Sequence, residues 1–159
     1  MKTLTGALAI AALGLAAVPA SGAAISVATA KAGDPAAEVC VLALKLGDGT
    51  DAIISQLQEM AKIWNDSDRA KLDPIMRPEI GPFKMVAGKV YSIGDLAPFA
   101  QEYLMVTADP KKGQTIYFRL IYETGPNGYY FKNVKFNSDY YSILSHGILH
   151  EPREINCAR

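Results

Sequence analysis

The sequence predicts an α+β fold in which N-terminal helices pack on a curved four-stranded antiparallel sheet. Apolar residues recur at helical spacing between residues 35 and 76, and after residues 81–82 the spacing changes toward strict alternation. Turn-forming residues separate the alternating segments. The chain of 159 residues is long enough for one domain and too short for two cores.

The first 30 residues are typical of a secretion signal followed by a spacer. Lys2 precedes an apolar run, residues 4–18, and Pro19 interrupts this run before it reaches the roughly 20 residues of a membrane-spanning helix. Small residues at positions 20–30 offer cleavage sites. We therefore expect a bacterial protein that is periplasmic or secreted and has no membrane contact after cleavage.

The overall charge and the absence of known motifs exclude several functional classes. The chain has 16 Lys and Arg residues against 16 Asp and Glu residues, a formal net charge of zero. Nucleic acids and anionic membranes attract basic proteins, so neither is an expected partner. The sequence also has no phosphate-binding glycine loop and no Cys-x-x-Cys pair, and no cofactor is expected.

Three helices are predicted before residue 80. The first covers residues 35–46, with Asp34 as its N-cap. The second follows a turn and ends near Trp64. The third covers residues 67–76, begins at its cap residue Ser67, and is ended by Pro78 because proline cannot donate a helical hydrogen bond.

Four strands are predicted after the helices, and short turns join the last three into an antiparallel meander. They cover residues 85–93, 101–108, 114–123 and 129–136. In the third strand, the side chains expected to face the helices are Ile116, Phe118, Leu120 and Tyr122. The apolar alternation of the fourth strand changes parity between Phe131 and Val134, which predicts a β-bulge near residues 132–133.

Cys40 and Cys157 are the two cysteines of the chain. An exported protein folds in an oxidising compartment, so we expect these residues to form a disulfide. The alternative is a buried thiol at Cys40 and an idle Cys157 in the tail. The predicted domain boundaries are residues 34–145 for a single α+β domain and residues 146–159 for a C-terminal tail.

The order of elements and the last hairpin resemble the nuclear-transport-factor-2-like (cystatin-like) superfamily, in particular its small exported bacterial members. The hairpin reads Tyr117-Phe118-Arg119-Leu120-Ile121-Tyr122-Glu123, then Gly128-Tyr129-Tyr130-Phe131-Lys132-Asn133-Val134-Lys135-Phe136. The family pattern is Gly-aromatic-x-aromatic-x-Asn-x-x-Phe, often with Trp where this chain has Tyr129. The resemblance covers residues 34–139 and implies a cone-shaped, cystatin-like roll with a pocket, frequently as a homodimer through the outer sheet face.

Tyrosine suits both pockets and interfaces because it combines apolar area with a polar tip. The residues expected to line the mouth of the cone are Trp64, Phe83, Tyr91, Tyr122 and Tyr130. The residues expected on the outer face, as a homodimer patch, are Tyr117, Arg119 and Ile121. Core or partly exposed positions without a binding role are the simpler alternative for any one of these aromatic residues.

Catalytic and metal-binding residues are not expected. An isomerase-type site needs a buried carboxylate beside a tyrosine, and the acids of the strand region, Asp95, Glu102 and Glu123, suit a solvated surface better. His146 and His150 are four residues apart, but glycine and proline nearby disfavour the helix that would bring them to one metal.

The sequence leaves three functional hypotheses. The leading one is a noncatalytic exported module that binds a small apolar molecule or a protein partner. The first alternative is an isomerase or lyase that uses a buried carboxylate and a tyrosine in the cone pocket. The second alternative is an envelope protein that associates with itself.

Overall fold

The structure is a computed structural model, and it describes residues 25–26, 33–81, 85–86, 88–109, 113–145 and 147–158. The predicted secretion signal lies outside the described residues except for Ile25 and Ser26. Phe83, an expected pocket residue, and His146 also lie outside them.

Four α-helices precede the main sheet: α1 (Pro35–Lys45), α2 (Thr50–Met60), α3 (Asp66–Ala70) and α4 (Leu72–Ile80). A single 3₁₀ turn, Leu46–Asp48, separates the first two. Asp34 caps α1, as predicted, because its side chain accepts a hydrogen bond from the N–H of Ala36 at 3.1 Å.

The predicted third helix is wrong in two respects. It is divided at Lys71 into α3 and α4, and α3 is capped by Asn65 rather than by Ser67. The helix also continues past Pro78, the residue predicted to end it. Ile80, the last helical residue, is fully buried, and its packing compensates for the one hydrogen bond that proline cannot donate.

The main sheet has five antiparallel strands rather than the four predicted. A two-residue strand, β1 (Ile25–Ser26), precedes them in the chain. The strands predicted from alternation are β2 (Lys89–Leu96), β3 (Ala100–Asp109), β4 (Gln114–Gly125) and β5 (Gly128–Asn137). The fifth is β6 (Arg153–Ile155), which pairs with β2 and gives the order β5-β4-β3-β2-β6. Three residues with two exposed charges carry no strand signal, so tertiary pairing alone defines β6.

A disulfide joins Cys40, in α1, to Cys157, in the last strand β7 (Cys157–Ala158). Strand β7 pairs in parallel with β1. The cysteines are 117 residues apart, and closing a loop of that length stabilises the fold by about 5 kcal/mol on the chain-entropy model. The predicted pairing of the cysteines is confirmed, and the end of the chain is tied to the first helix.

The core lies between the helices and the inner face of the sheet. The inward set predicted for β4 is confirmed, since Ile116, Phe118, Leu120 and Tyr122 are all buried against the helices. Tyr122, Phe118 and Phe131 are among the largest fully buried side chains. The space between the helices and the inner face of the sheet is therefore filled with packed side chains.

The predicted β-bulge is present. Ile121 pairs with Asn133 and Tyr122 pairs with Phe131, so Lys132 is the extra residue. Because of this extra residue, Phe131 and Val134 both pack against the core. The change of parity in the sequence correctly located the bulge.

The outer face of the sheet is covered by the chain itself. The short helix α5 (Tyr140–Ile143) packs on this face, and residues 149–150 bind β2 at the carbonyl oxygen of Ile93; neither was predicted. Ile93, Leu104 and Ile143 form a second, smaller buried cluster there. In the part of the chain described, no helix has the length and apolar character to cross a membrane.

Candidate functional site

A groove of about 550 Å³ runs between the α2–α4 region and strand β5. Its helical wall carries Ile63, Leu72, Ile75 and Met76. Its strand wall includes Val134 and Phe136. The volume lies within the range of about 300–1,000 Å³ found for small-molecule sites.

Two isoleucines of the helical wall are open to solvent. The exposed fraction is 58% for Ile63 and 59% for Ile75. Single exposed apolar side chains are common, but two in one concave surface indicate a binding site. Covering them would remove apolar area from water at about 25 cal/mol per Å².

Trp64 forms a fixed end of this wall. Its ring stacks on Phe131, with centroids 5.4 Å apart and an angle of 6° between the planes. Its Nε1–H donates to the backbone carbonyl oxygen of Phe131 at 2.6 Å, beside the bulge. A partner of the groove would therefore meet a tryptophan whose orientation is already set, which reduces the entropy lost on binding.

The polar side chains at the helical rim of the groove bind one another. Lys71 Nζ lies 2.6 Å from Asp68 Oδ1, and Asn65 also donates to Asp68. Hydrogen bonds from these two residues hold the pKa of Asp68 below its usual value. Asp68 is therefore ionised at neutral pH and its charge is matched by Lys71.

The rim on the strand side lies at the bulge. Lys132 and Asn133 are consecutive, yet both line the groove. Lys132 is the extra residue of the bulge, and Asn133 pairs with Ile121 of β4. Lys132 Nζ lies 3.1 Å from Glu123 Oε2, and Tyr130 donates to the same oxygen. Both interactions lower the pKa of Glu123.

A second candidate site combines an acid with two tyrosines beneath α1. The side chain of Tyr122 is 1% exposed, and its hydroxyl is buried close to the Glu38 carboxyl. Burial raises the pKa of Tyr122, and the nearby negative charge of Glu38 raises it further. The ring of Tyr103 meets the Tyr122 ring edge-on, with centroids 5.9 Å apart.

Burial also raises the pKa of Glu38, although the nearby Tyr122 hydroxyl and the Lys62 charge oppose the shift. Asp34 and Glu59 add further negative charge and raise the pKa. Glu38 was not a sequence candidate because an acid in the first turn of a helix is explained by the helix dipole alone. The sequence contains no signal that places it against Tyr122.

The three acids considered from the sequence are all paired or exposed. Glu102 binds the guanidinium of Arg119, Glu123 binds Lys132, and Asp95 accepts a hydrogen bond from the N–H of Ala97 in an exposed turn. The interactions of each of these three carboxylates are therefore explained by the fold itself.

The structure brings together two of the expected pocket residues. Trp64 and Tyr130 both line the groove. Tyr122 is instead enclosed in the core, and Tyr91 packs with Ile93 in the outer cluster. Tyr91 pairs with Leu104, and this register turns its side chain away from the helices.

The expected interface residues do not form an open sheet face. Arg119 is 5% exposed, because Glu102 binds its Nε and Nη2 atoms and its Nη1 donates to the carbonyl oxygen of Ile143. The Tyr117 ring packs against Tyr140 of α5, with centroids 5.3 Å apart. Of the three, only Ile121 lies outside these contacts, and it is partly exposed.

His150 lies beside the sheet rather than in a metal site. Its Nε2 atom is 3.3 Å from the Ser92 hydroxyl oxygen. Within the described ranges, no group of three or more His, Cys, Asp or Glu side chains is arranged to hold a metal ion.

Comparisons of the chain with protein-family models, with curated proteins and with solved structures found no match. The resemblance of the last hairpin to the nuclear-transport-factor-2-like superfamily therefore stays a prediction.

Proposed function

We propose that the protein is a noncatalytic exported module that binds a small apolar molecule in the groove beside β5. The observation that carries the proposal is the exposure of Ile63 and Ile75 in one concave wall next to an immobilised Trp64. The disulfide between Cys40 and Cys157 supports export, since disulfides persist in oxidising compartments.

The groove is suited to binding because it need not be assembled. Trp64 is held by stacking and by its hydrogen bond, and Met76 below it is buried. Covering one isoleucine fully would contribute about 1.5–3 kcal/mol. Since Ile63 and Ile75 are each only partly exposed, the two together would contribute about that amount to affinity, and the ligand's own apolar surface would add to it.

Trp64 provides a direct test, since it is the one tryptophan of the chain. Titration with 1-dodecanol should change its fluorescence, and Ile75→Ser should weaken the binding about tenfold through the lost apolar contact. Leu96→Ser is the matched control, because Leu96 is a similarly exposed apolar residue outside the groove. Equal loss in both variants, or no fluorescence change in the wild type, would contradict the proposal.

The second candidate is an isomerase or lyase that uses Glu38 and Tyr122. It is favoured by one observation, a buried tyrosine hydroxyl close to a carboxyl whose pKa is raised. Glu38 would remove a proton next to a carbonyl group, and Tyr122 would donate to the resulting oxyanion. A substrate reaches Tyr122 only if the packed core opens, which is why we rank this candidate second.

Isomerisation of cyclohex-3-enone to its conjugated isomer tests the second candidate. An enzyme of this type should lose activity in both Glu38→Gln and Tyr122→Phe, while a binding module should show no activity in the wild type.

Self-association through the outer sheet face receives less support, because α5 contacts Tyr117 and Arg119. Size-exclusion mass tests it directly.

A further inference from the structure

We propose that the groove binds an amphipathic anion, an aliphatic carboxylate whose head group is held by Lys132 and Asn133 and whose chain lies along the apolar wall. The inference rests on the proposed function and adds the chemical class of the ligand. It follows from the placement of the bulge, the distribution of charge around the groove and the length of its strand wall.

Two neighbouring residues with hydrogen-bond donors line the groove at the bulge. Lys132 and Asn133 both line the groove although they are neighbours in the strand. The ammonium group of Lys132 carries a charge, and the Asn133 amide has no hydrogen-bond partner in the part of the chain described. A carboxylate accepts hydrogen bonds through two oxygens and matches this pair of donors.

Among the described residues that line the groove, Lys132 is a cation whose carboxylate partner lies outside the lining. Lys71 and Asp68 neutralise each other at 2.6 Å. Lys132 is paired with Glu123, but Glu123 lies outside the lining. Both side chains of that pair are about half exposed, at 50% and 41%, so Lys132 exchanges one carboxylate for another at little cost.

The remainder of the groove suits an aliphatic chain. The helical wall exposes Ile63 and Ile75, and Trp64 presents its ring. Strand residues 132–136 span roughly 13 Å at about 3.3 Å per residue. Dodecanoate is of comparable length, so its chain would reach from the bulge along the strand to Phe136.

The test compares dodecanoate with 1-dodecanol, which has the same chain and a neutral head. Both are titrated below their micellar concentrations, with Trp64 fluorescence as the readout. We expect dodecanoate to bind roughly five- to tenfold more tightly, the gain of a charge-assisted hydrogen bond over the surface pair it replaces. Lys132→Gln should abolish this preference, and 0.5 M NaCl should reduce it.

Lys135→Gln is the matched control, because Lys135 lies on the same strand but does not line the groove. It should leave the preference unchanged. Equal binding of dodecanoate and 1-dodecanol, or loss of the preference in both lysine variants, overturns the assignment of the head group but leaves the groove as a binding site. Absence of binding by both compounds overturns the proposed function as well. Thermal unfolding of each variant confirms that the fold is retained.

Discussion

The two edges of the sheet end in different ways. On the β2 side, the edge is closed by β6 and by the N–H groups of Leu149 and His150, which donate to the carbonyl oxygen of Ile93. On the β5 side, no further strand follows in the described sheet, and the edge borders the groove. The difference shows that closure of one edge depends on long-range links, while the other edge is left accessible beside the apolar wall.

Each edge has its own means of avoiding uncontrolled strand pairing. The β2 edge is covered, and the disulfide at Cys157 holds the covering segment in place. The β5 edge carries a bulge at Lys132 and a second lysine at 135, both of which disfavour addition of another strand. On the β5 edge, the bulge residue Lys132 also lines the candidate site.

The largest expected effect is on the closed edge. Replacing Cys157 by Ser should lower the free energy of unfolding by about 5 kcal/mol, because the unfolded chain regains the freedom of a loop with a sequence separation of 117 residues. Denaturant unfolding measures the loss. Because this loss acts through the unfolded state, the slowest amides of β4 and β5, which exchange by global unfolding, should exchange faster by the same free energy, and residues 153–155 should accelerate as well. Unchanged exchange in β4 and β5 together with an unchanged free energy of unfolding would contradict a stabilising role of the disulfide.

The second prediction concerns the outer face that the C-terminal segment covers. Glu102→Gln should destabilise the protein by about 3 kcal/mol, because it leaves the Arg119 charge buried without a matching anion. Glu154→Gln is the control, since the exposed pair between Glu154 and Lys89 should contribute less than about 1 kcal/mol. Similar losses in the two variants, measured by chemical denaturation, would show that Arg119 is solvated.

A smaller, pH-dependent effect is expected on the inner face. Burial raises the pKa of Glu38 in the folded state, so folding disfavours its ionised form. The relevant pH window begins at about 4.5, the ordinary pKa of glutamate, and ends above the raised pKa of Glu38 in the folded state. Within this window the unfolded chain binds fewer protons than the folded chain. Stability should therefore fall across this window and stay lower above it.

Glu38→Gln should remove that fall. The variant should be more stable than the wild type at neutral pH, whereas below the ordinary glutamate pKa, where Glu38 is protonated in both states, the difference should vanish. Thermal melts at several pH values measure this. Glu154→Gln is the control, because Glu154 lies on the surface in an exposed pair with Lys89 and is not among the charges that act on Glu38. An unchanged pH profile in Glu38→Gln would show that Glu38 is well hydrated.

Much of the fold was predictable because its elements carry local periodic signals. The inward set of β4, the α1 cap at Asp34 and the bulge near residues 132–133 follow from side-chain alternation and capping chemistry, which depend on neighbours in the chain. The candidate site was predicted in part, since Trp64 and Tyr130 were expected to line a pocket and both line the groove. Residue type alone does not distinguish these two groove residues from Tyr122, which lies in the core, or from Tyr91, which packs in the outer cluster.

The sequence by itself determined the order of helices and strands, the inner face of the sheet and the presence of two cysteines able to pair. The tertiary structure alone decided the fifth strand, the helix that covers Arg119, and the meeting of Glu38 with Tyr122. The physical reason is the range of the interactions. Periodicity and capping act between neighbours along the chain, whereas a three-residue edge strand or a buried acid gains its energy only from groups far away in sequence.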